Sequence, residues 1–435
     1  MANIVAIVGR PNVGKSTLFN RLIERREAIM DDESGVTRDR HYGYAEWIGK
    51  GFTVVDTGGY VHGSDDIFEG AIRSQVMTAL EEATVILFMT DCRVGLTDLD
   101  REFAQVVRKT KKPVLIVANK ADSLEKEQNA VEFYELGIGE IYPVSSVSGS
   151  GTGDLLDEVV KHFKSEVDGD SESSLPRIAI MGRPNVGKSS FVNVLVGQER
   201  SIVTDIAGTT RDSINTRYNL FGKDFLLIDT AGVRKKARVK EDIEFYAVMR
   251  SIQALQNSDV SIVMIDAQSG LEAQDINLIN LAVKYRKGIV LMVNKWDLIE
   301  KDTKTADLFR KELVERLGTL NYIPIVFTSV INKQRVMKAI ETAIEVYTDR
   351  YRKVPTSELN NVLLKEIEKY NPPAHRGKYI KIKYITQLPT KSPTFGFFCN
   401  FPKHIQNPYE RFLENKIREH FGFAGVPIKI VFKEK

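Results

Sequence analysis

The octapeptide GRPNVGKS occurs twice in this chain, at residues 9–16 and again at 182–189. The duplication extends well beyond eight residues. Thr37 lies 28 positions after Gly9, and Thr210 lies 28 after Gly182. Asp56-Thr57-Gly58-Gly59 and Asp229-Thr230-Ala231-Gly232 each begin 47 positions on. Asn119-Lys120-Ala121-Asp122 begins at 110 and Asn294-Lys295-Trp296-Asp297 at 112. Ordered short motifs at nearly fixed spacing mark a duplicated structural unit. Two copies offset by 173 in a 435-residue chain predict two like domains. About 85 residues then remain at the C-terminus for a third, smaller one.

Each copy alternates strand and helix. Residues 4–8 are an unbroken apolar run, 9–15 are loop-like, and 16–24 have helical spacing. Further apolar runs at 52–56, 85–91 and 113–119 end on polar or charged residues, and 177–181, 225–229, 260–266 and 288–294 repeat them. Such runs read as parallel strands buried on both faces, with functional groups at their carboxyl ends. The expected fold is α/β: two doubly wound P-loop domains, followed by a small α+β domain. The expected boundaries are 1–164 and 176–350 for the two copies, with 351–435 as the tail. The segment 165–175, Ser-rich and acidic without aromatics, reads as a flexible linker.

The motifs carry a consistent chemistry. A loop of type GxxxxGKS between strand and helix turns backbone N–H groups into one concavity that holds phosphates. Its residues are Gly9, Arg10, Pro11, Asn12, Val13, Gly14, Lys15, Ser16 and Thr17, and then Gly182, Arg183, Pro184, Asn185, Val186, Gly187, Lys188, Ser189 and Ser190. Lys15 and Lys188 would reach the β/γ-phosphates, and the Ser16 and Ser189 hydroxyls would bind Mg²⁺. Asp56 and Asp229 open DxxG and would hold Mg²⁺ through water. Gly59 and Gly232 would let a backbone amide meet the γ-phosphate. Thr37 and Thr210 could close over Mg²⁺ only while that phosphate is present, which makes a switch. In NKxD, Asp122 and Asp297 can accept from guanine N1–H and its exocyclic amine. Adenine lacks that donor pair and would leave a carboxylate unpaired. Asn119 and Asn294 support this site, and the stems of Lys120 and Lys295 would cover the ring. Ser145-Ser146 and Thr328-Ser329 fall where an amide would meet the guanine O6. The second of these loops is less regular, because Asn332-Lys333-Gln334 replaces glycines.

The net charge of +3 conceals an asymmetry. Residues 350–435 contain 17 Lys/Arg against 7 Glu and no Asp. A basic tail on a mildly acidic remainder suggests a polyanionic partner such as RNA. The tail reads α-β-β-α-β. Helical spacing runs over 357–370, strands over 379–385 and 395–401, a helix follows with Asn407 as N-cap and Pro408 at N1, and 427–432 closes it. Lys378, Lys381, Lys383, Arg411, Lys416 and Arg418 are the expected contacts. The segment after the second DxxG is also basic, with Arg234, Lys235, Lys236, Arg238 and Lys240; the first copy has 60–66 there, nearly without basic groups. Cys92 and Cys399 fall in different domains, so no disulfide is expected, and the pattern suits a reducing cytoplasm. No run approaches 18 apolar residues, so no membrane span is expected.

The order GxxxxGKS, Thr, DxxG, NKxD resembles the translation-factor-related GTPases. Two such domains in tandem with a basic α-β-β-α-β tail resemble one bacterial family, the Der (EngA) GTPases, over nearly the whole chain. The resemblance implies GTP hydrolysis to GDP and phosphate, and a role in assembly of the large (50S) ribosomal subunit with its rRNA and proteins as partners. It further implies a KH-like tail, a cytoplasmic location and a monomer off the ribosome. Tyr60 and Val233 stand where Ras-like enzymes place a water-orienting Gln. Asn12 and Asn185 match an Asn that, in related GTPases, helps to hold K⁺, so K⁺-stimulated turnover is implied. Unassisted turnover would then be slow, on the order of 10⁻⁴ to 10⁻² s⁻¹. The tail departs from a standard KH module: Gly422-Phe423-Ala424-Gly425 lies between helix and strand, so it reads as a turn and not an RNA clamp. GTP-driven RNA modification is the alternative enzyme reading and would require a further catalytic domain. A sensor with one hydrolytic copy is another, though both copies keep every motif.

Overall fold

The computed structural model describes residues 3–24, 42–57, 77, 79–163, 175–196, 202–207, 214–220, 223–228, 243–300, 302, 304–374, 377 and 379–434. Thr37, Gly59, Thr210, Asp229 and Gly232 lie outside them, as do Lys378, residues 164–174 and both segments following DxxG. The chain divides into two compact units. One comprises 1–174 with 235–257, the other 175–234 with 258–435.

Among the described residues the strands form three sheets. The first contains β1 (Ile4–Val8), β2 (Tyr42–Trp47), β3 (Lys50–Asp56), β4 (Val85–Asp91), β5 (Val114–Asn119) and β6 (Glu140–Pro143), in the order β2-β3-β1-β4-β5-β6. The strand β1 is parallel to both neighbours, with Ile7 beside Asp56 and Val8 beside Phe88. Its five residues are all fully buried, which is why an apolar run without alternation forms the central strand. Chain order reverses direction at β1, so the loop after it opens into the crevice where α/β sheets bind ligands. The antiparallel β2 is not among the strands read from the sequence. It joins β3 through Ile48-Gly49, both at positive φ (46° and 75°), as a two-residue turn matched to strand twist requires.

The second sheet repeats this plan with β7 (Arg177–Met181), β8 (Ile202–Ala207), β9 (Ile214–Leu220), β10 (Lys223–Ile228), β11 (Val260–Asp266), β12 (Gly288–Asn294) and β13 (Ile325–Phe327). Its order is β13-β12-β11-β7-β10-β9-β8, so β7 again occupies the reversal point. Both repeats and the tail are therefore α/β and α+β as the spacing predicts.

The tail contains the helices Thr356–Lys369 and Asn407–Phe421 and the strands β14 (Ile382–Gln387), β15 (Thr394–Cys399) and β16 (Lys429–Glu434), in the order α-β-β-α-β. Both helices face one side of the sheet through Leu359, Leu363, Ile367, Leu413 and Ile417. The second helix is capped at Gln406, one residue before the expected Asn407, without a side-chain cap bond. The tail shares one continuous apolar cluster with the second repeat, running from Ile178 through Phe423 to Ile430. The turn 422–425 makes that junction. Phe423 is fully buried, Gly425 N–H donates to Tyr322 O at 2.8 Å, and Ile289 N–H donates to Gly425 O at 2.7 Å. Cys92 and Cys399 are free and buried, and among the described residues no helix is long and apolar enough to cross a membrane.

Candidate functional site

The first phosphate loop runs from the end of β1 into the helix Lys15–Glu24. Lys15 folds into it, donating to Gly9 O and Arg10 O at 2.9 Å each. Burial holds its ammonium below the usual lysine range, with Asp56 opposing. A poorly solvated cation at the start of a helix is strongly attracted to phosphate. Ser16 Oγ donates to Asp56 Oδ2 at 2.6 Å, which brings together the first two expected Mg²⁺ residues. Asn12 takes φ 66° at the crest of the loop, a left-handed conformation that Asn tolerates, and its side chain is exposed.

One buried side chain joins the phosphate loop to the base site. Asn119 Nδ2 donates to Val13 O at 2.7 Å, and its Oδ1 accepts from Ser146 N–H at 3.0 Å and Ser146 Oγ at 2.8 Å. Gly14 lies beneath it at φ 99°, where a Cβ would come within 2.3 Å of Asn119 Nδ2. Lys120 Nζ spans the same gap, donating to Asn12 O at 3.0 Å and to Asp91 Oδ2 at 2.5 Å. Asp122 accepts from Lys126 at 2.6 Å and Arg93 at 2.7 Å, and these bonds pull its carboxyl down to about 2. It is therefore ionised throughout the neutral range, as the expected double acceptor for guanine would have to be. Pro11 and Thr17 are exposed at the mouth of the loop, and Ser145 is buried next to Ser146.

The second copy reproduces this arrangement. Lys188 Nζ donates to Gly182 O at 2.7 Å and Arg183 O at 2.6 Å, and burial pushes its ammonium down to about 8. Asn294 Nδ2 donates to Val186 O at 2.8 Å, and Lys295 pairs with Asp266 at 2.6 Å. Asn185 takes φ 65°, and Gly187 takes φ 106° with Asn294 Nδ2 2.3 Å from a would-be Cβ. Pro184, Ser189 and Ser190 are exposed, and Asp297 is half-buried.

The second capping loop differs from expectation by one residue. Asn294 Oδ1 accepts from Val330 N–H at 3.1 Å, so Val330 is the counterpart of Ser146 and Ser329 that of Ser145. The reciprocal backbone bonds of Ser329 with Gln334 close this loop without glycine. Thr328 instead directly follows β13, its N–H donating to Val293 O.

Five acids outside the named motifs complete the two sites. Asp91 and Asp266 end β4 and β11 and hold the NKxD lysines. Asp100 is fully buried in the capping box of the helix Asp98–Val107 and receives Arg10 Nε at 3.3 Å. Asp275, fully buried in the equivalent box, receives Arg183 Nε at 3.0 Å, while Glu272 receives Arg183 at 2.6 Å. For Asp91 and Asp266 the signal in the sequence is a shared position, since each closes the strand adjoining the central one.

The tail residues expected to contact RNA separate into two sets. Arg418 is committed internally, bonded to Glu414 Oε1 at 2.7 Å and Phe423 O at 2.8 Å with its guanidinium 3.6 Å from the Tyr322 ring centroid. Lys416 is shared between Glu419 and Glu366. Lys381 and Lys383 are exposed, and Arg411 is half-buried.

Residues 4–120 and 177–295 match the family model described as "50S ribosome-binding GTPase". Residues 353–433 match "KH-domain-like of EngA bacterial GTPase enzymes, C-terminal". The chain is 61% identical over 435 residues to the GTPase Der of Cytophaga hutchinsonii and 60% identical to that of Amoebophilus asiaticus, covering all of both partners. It is 55% identical over 437 residues to the GTPase Der of Bacteroides fragilis, again over full length. Among solved structures, Aquifex aeolicus Era bound to GDP·AlF₄⁻ is similar at 21% identity and a TM-score of 0.31, over 60% of this chain and 94% of that one.

Proposed function

Because the chain belongs to the Der (EngA) family of GTPases, we propose that both copies bind and hydrolyse GTP with Mg²⁺ and that the protein serves assembly of the large ribosomal subunit in the cytoplasm. The observation that supports two working sites is the match between them. The Asn–loop bond measures 2.7 Å in one copy and 2.8 Å in the other, and each loop lysine is held by the same two carbonyls. A copy kept only as a scaffold would not need its loop lysine folded back onto the loop carbonyls.

In this reading Lys15 and Lys188 exchange loop carbonyls for the β/γ-phosphates, and Asp122 and Asp297 read guanine. The donors Ser16 Oγ and Asp56 Oδ2 are hard oxygens side by side, a pairing that suits Mg²⁺ held by one protein hydroxyl, water and phosphate. Bound there, the ion would offset the charge that develops on the transferred phosphoryl group. Ser189, with Thr210 and Asp229, would serve the second copy, and Thr37 the first. The exposed Asn12 and Asn185 suit a role for K⁺ beside the phosphates. The working divisions are 1–164, 176–350 and 351–435, and the free protein is a monomer.

Co-sedimentation with large subunits in a non-hydrolysable GTP analogue, GDP and no nucleotide, in K⁺ and in Na⁺, tests the assembly role. Association only in one nucleotide state is the expected result, and none in any state refutes the reading. Hydrolysis by Lys15→Ala and Lys188→Ala tests the copies one at a time; unchanged turnover in either variant marks that copy as silent.

A further inference from the structure

Resting on the proposed ribosomal role, we propose that the open face of the tail's sheet is a platform for single-stranded RNA, with bases stacked on Tyr379, Tyr384 and Phe398. The helices cover only the face that carries Ile385, Phe395, Phe397 and Ile430. On the other face, register places Tyr384, Phe398 and Lys433 side by side across all three strands. The Tyr384 and Phe398 rings are 5.6 Å apart.

Three features shape this face for a ligand. A register shift between Ile382 and Tyr384 inserts Lys383, so that Lys383 and Tyr384 are both exposed. Such bulges re-aim side chains at functional edges. Asn400 then fixes the chain before β14, accepting from Lys381 N–H at 2.8 Å and donating to Tyr379 O at 2.9 Å. Tyr379 is 82% exposed, and Tyr384 is 40% exposed. Finally, the ammonium groups of Lys381, Lys383 and Lys433 have no ion pair among the described residues, unlike Lys416 and Arg418.

Lysines alone on an edge strand would guard against strand pairing. That role does not need exposed tyrosines beside them. Alternating aromatic rings and free cations suit a polyanion with exposed π-faces, which is single-stranded RNA and not a duplex whose bases are already stacked. The tail's excess of 17 Lys/Arg over 7 Glu has the complementary charge.

The test is fluorescence anisotropy of the full chain with a labelled, mixed-sequence single-stranded RNA of about 12 nucleotides and with a blunt duplex of equal length. The single strand should bind more tightly. Tyr379→Ala and Tyr384→Ala should each weaken it about tenfold with no change in salt slope, and Tyr384→Phe should retain binding. Lys381→Ala with Lys383→Ala should lower the slope of log K against log salt by about 0.7 per lysine. Thermal midpoints verify folding. Equal affinity for duplex, or aromatic variants that bind as the parent does, overturns the platform. So do aromatic variants that lose large-subunit co-sedimentation but keep RNA binding, because that outcome assigns the face to a protein. Failure of the parent to co-sediment while the RNA effects hold refutes the assembly role and leaves the platform standing.

Discussion

Replacing Asn119 by Ala should uncouple the phosphate loop from the base loop. The side chain is 2% exposed and makes three hydrogen bonds, to Val13 O, Ser146 N–H and Ser146 Oγ. At about 1 kcal/mol net per bond, the loss is about 3 kcal/mol. In the variant both loops are loose, and the nucleotide must order them on binding. The expected effect is therefore a drop in GDP affinity of about a hundredfold at the first site. Asn294 makes two such bonds, to Val186 O and Val330 N–H, so Asn294→Ala should cost about 2 kcal/mol, a loss of about 30-fold. Titration with a fluorescent GDP measures each, with the other copy disabled by Asp297→Asn or Asp122→Asn. Gly14→Ala attacks the same contact from the opposite side, since its Cβ would lie 2.3 Å from Asn119 Nδ2. Removing the Asn119 side chain clears that clash, so the double variant should be weaker than Asn119→Ala by much less than Gly14→Ala alone costs. What persists is the backbone strain of Ala at φ 99°. A folded Asn119→Ala protein with GDP affinity within threefold of its parent, or strictly additive losses in the double variant, refutes the reasoning.

Other perturbations give separate readouts. Asp122→Asn and Asp297→Asn should each move one site from GTP to xanthosine triphosphate, because an amide can donate to the xanthine 2-oxygen that a carboxylate repels; retained GTP preference at both sites would exclude these aspartates from base reading. Asn12→Ala and Asn185→Ala should reduce the ratio of turnover in K⁺ to that in Na⁺, and equal ratios in parent and variants would remove K⁺ from the site. Gly425→Ala should destabilise the unit formed by the second repeat and tail, since its Cβ would meet Ile289 O at 2.6 Å and Val346 Cγ2 at 2.7 Å at φ 68°. A cost of about 2 kcal/mol predicts a fall of about 4–8 °C in the thermal midpoint, and an unshifted midpoint would show that the turn does not fasten the tail.

The sequence made some features legible and hid others for physical reasons. Parallel strands such as Val85–Asp91 are buried on both faces, so their apolar runs could be read without any partner in view. The edge strand Tyr42–Trp47 could not, because it mixes Gly43 and Glu46 with aromatics and turns on an Ile at φ 46° where Gly or Asn is usual. The phosphate loops were legible because backbone geometry demands glycines at fixed offsets. The acids that anchor them were not: Asp100 and Asp275 are ordinary helix-start residues until folding brings an arginine from about 90 positions away. The capping loop after Phe327 was displaced by one residue in the reading because glycine, the usual marker, is replaced by reciprocal backbone bonds. Positive charge in the tail was plain, but its availability was not. On the helix Asn407–Phe421, Arg418 has Glu414 four residues before it and Lys416 has Glu419 three after, spacings at which side chains meet. Lys383 on β14 and Lys381 just before it have no acid among their neighbours along the strand, whose sequence from Ile382 to Gln387 contains none. The helix with mixed charges thus neutralises its own cations locally, whereas β14 carries no acid that could do so. In this tail the cations left for the proposed RNA therefore collect on the open sheet face.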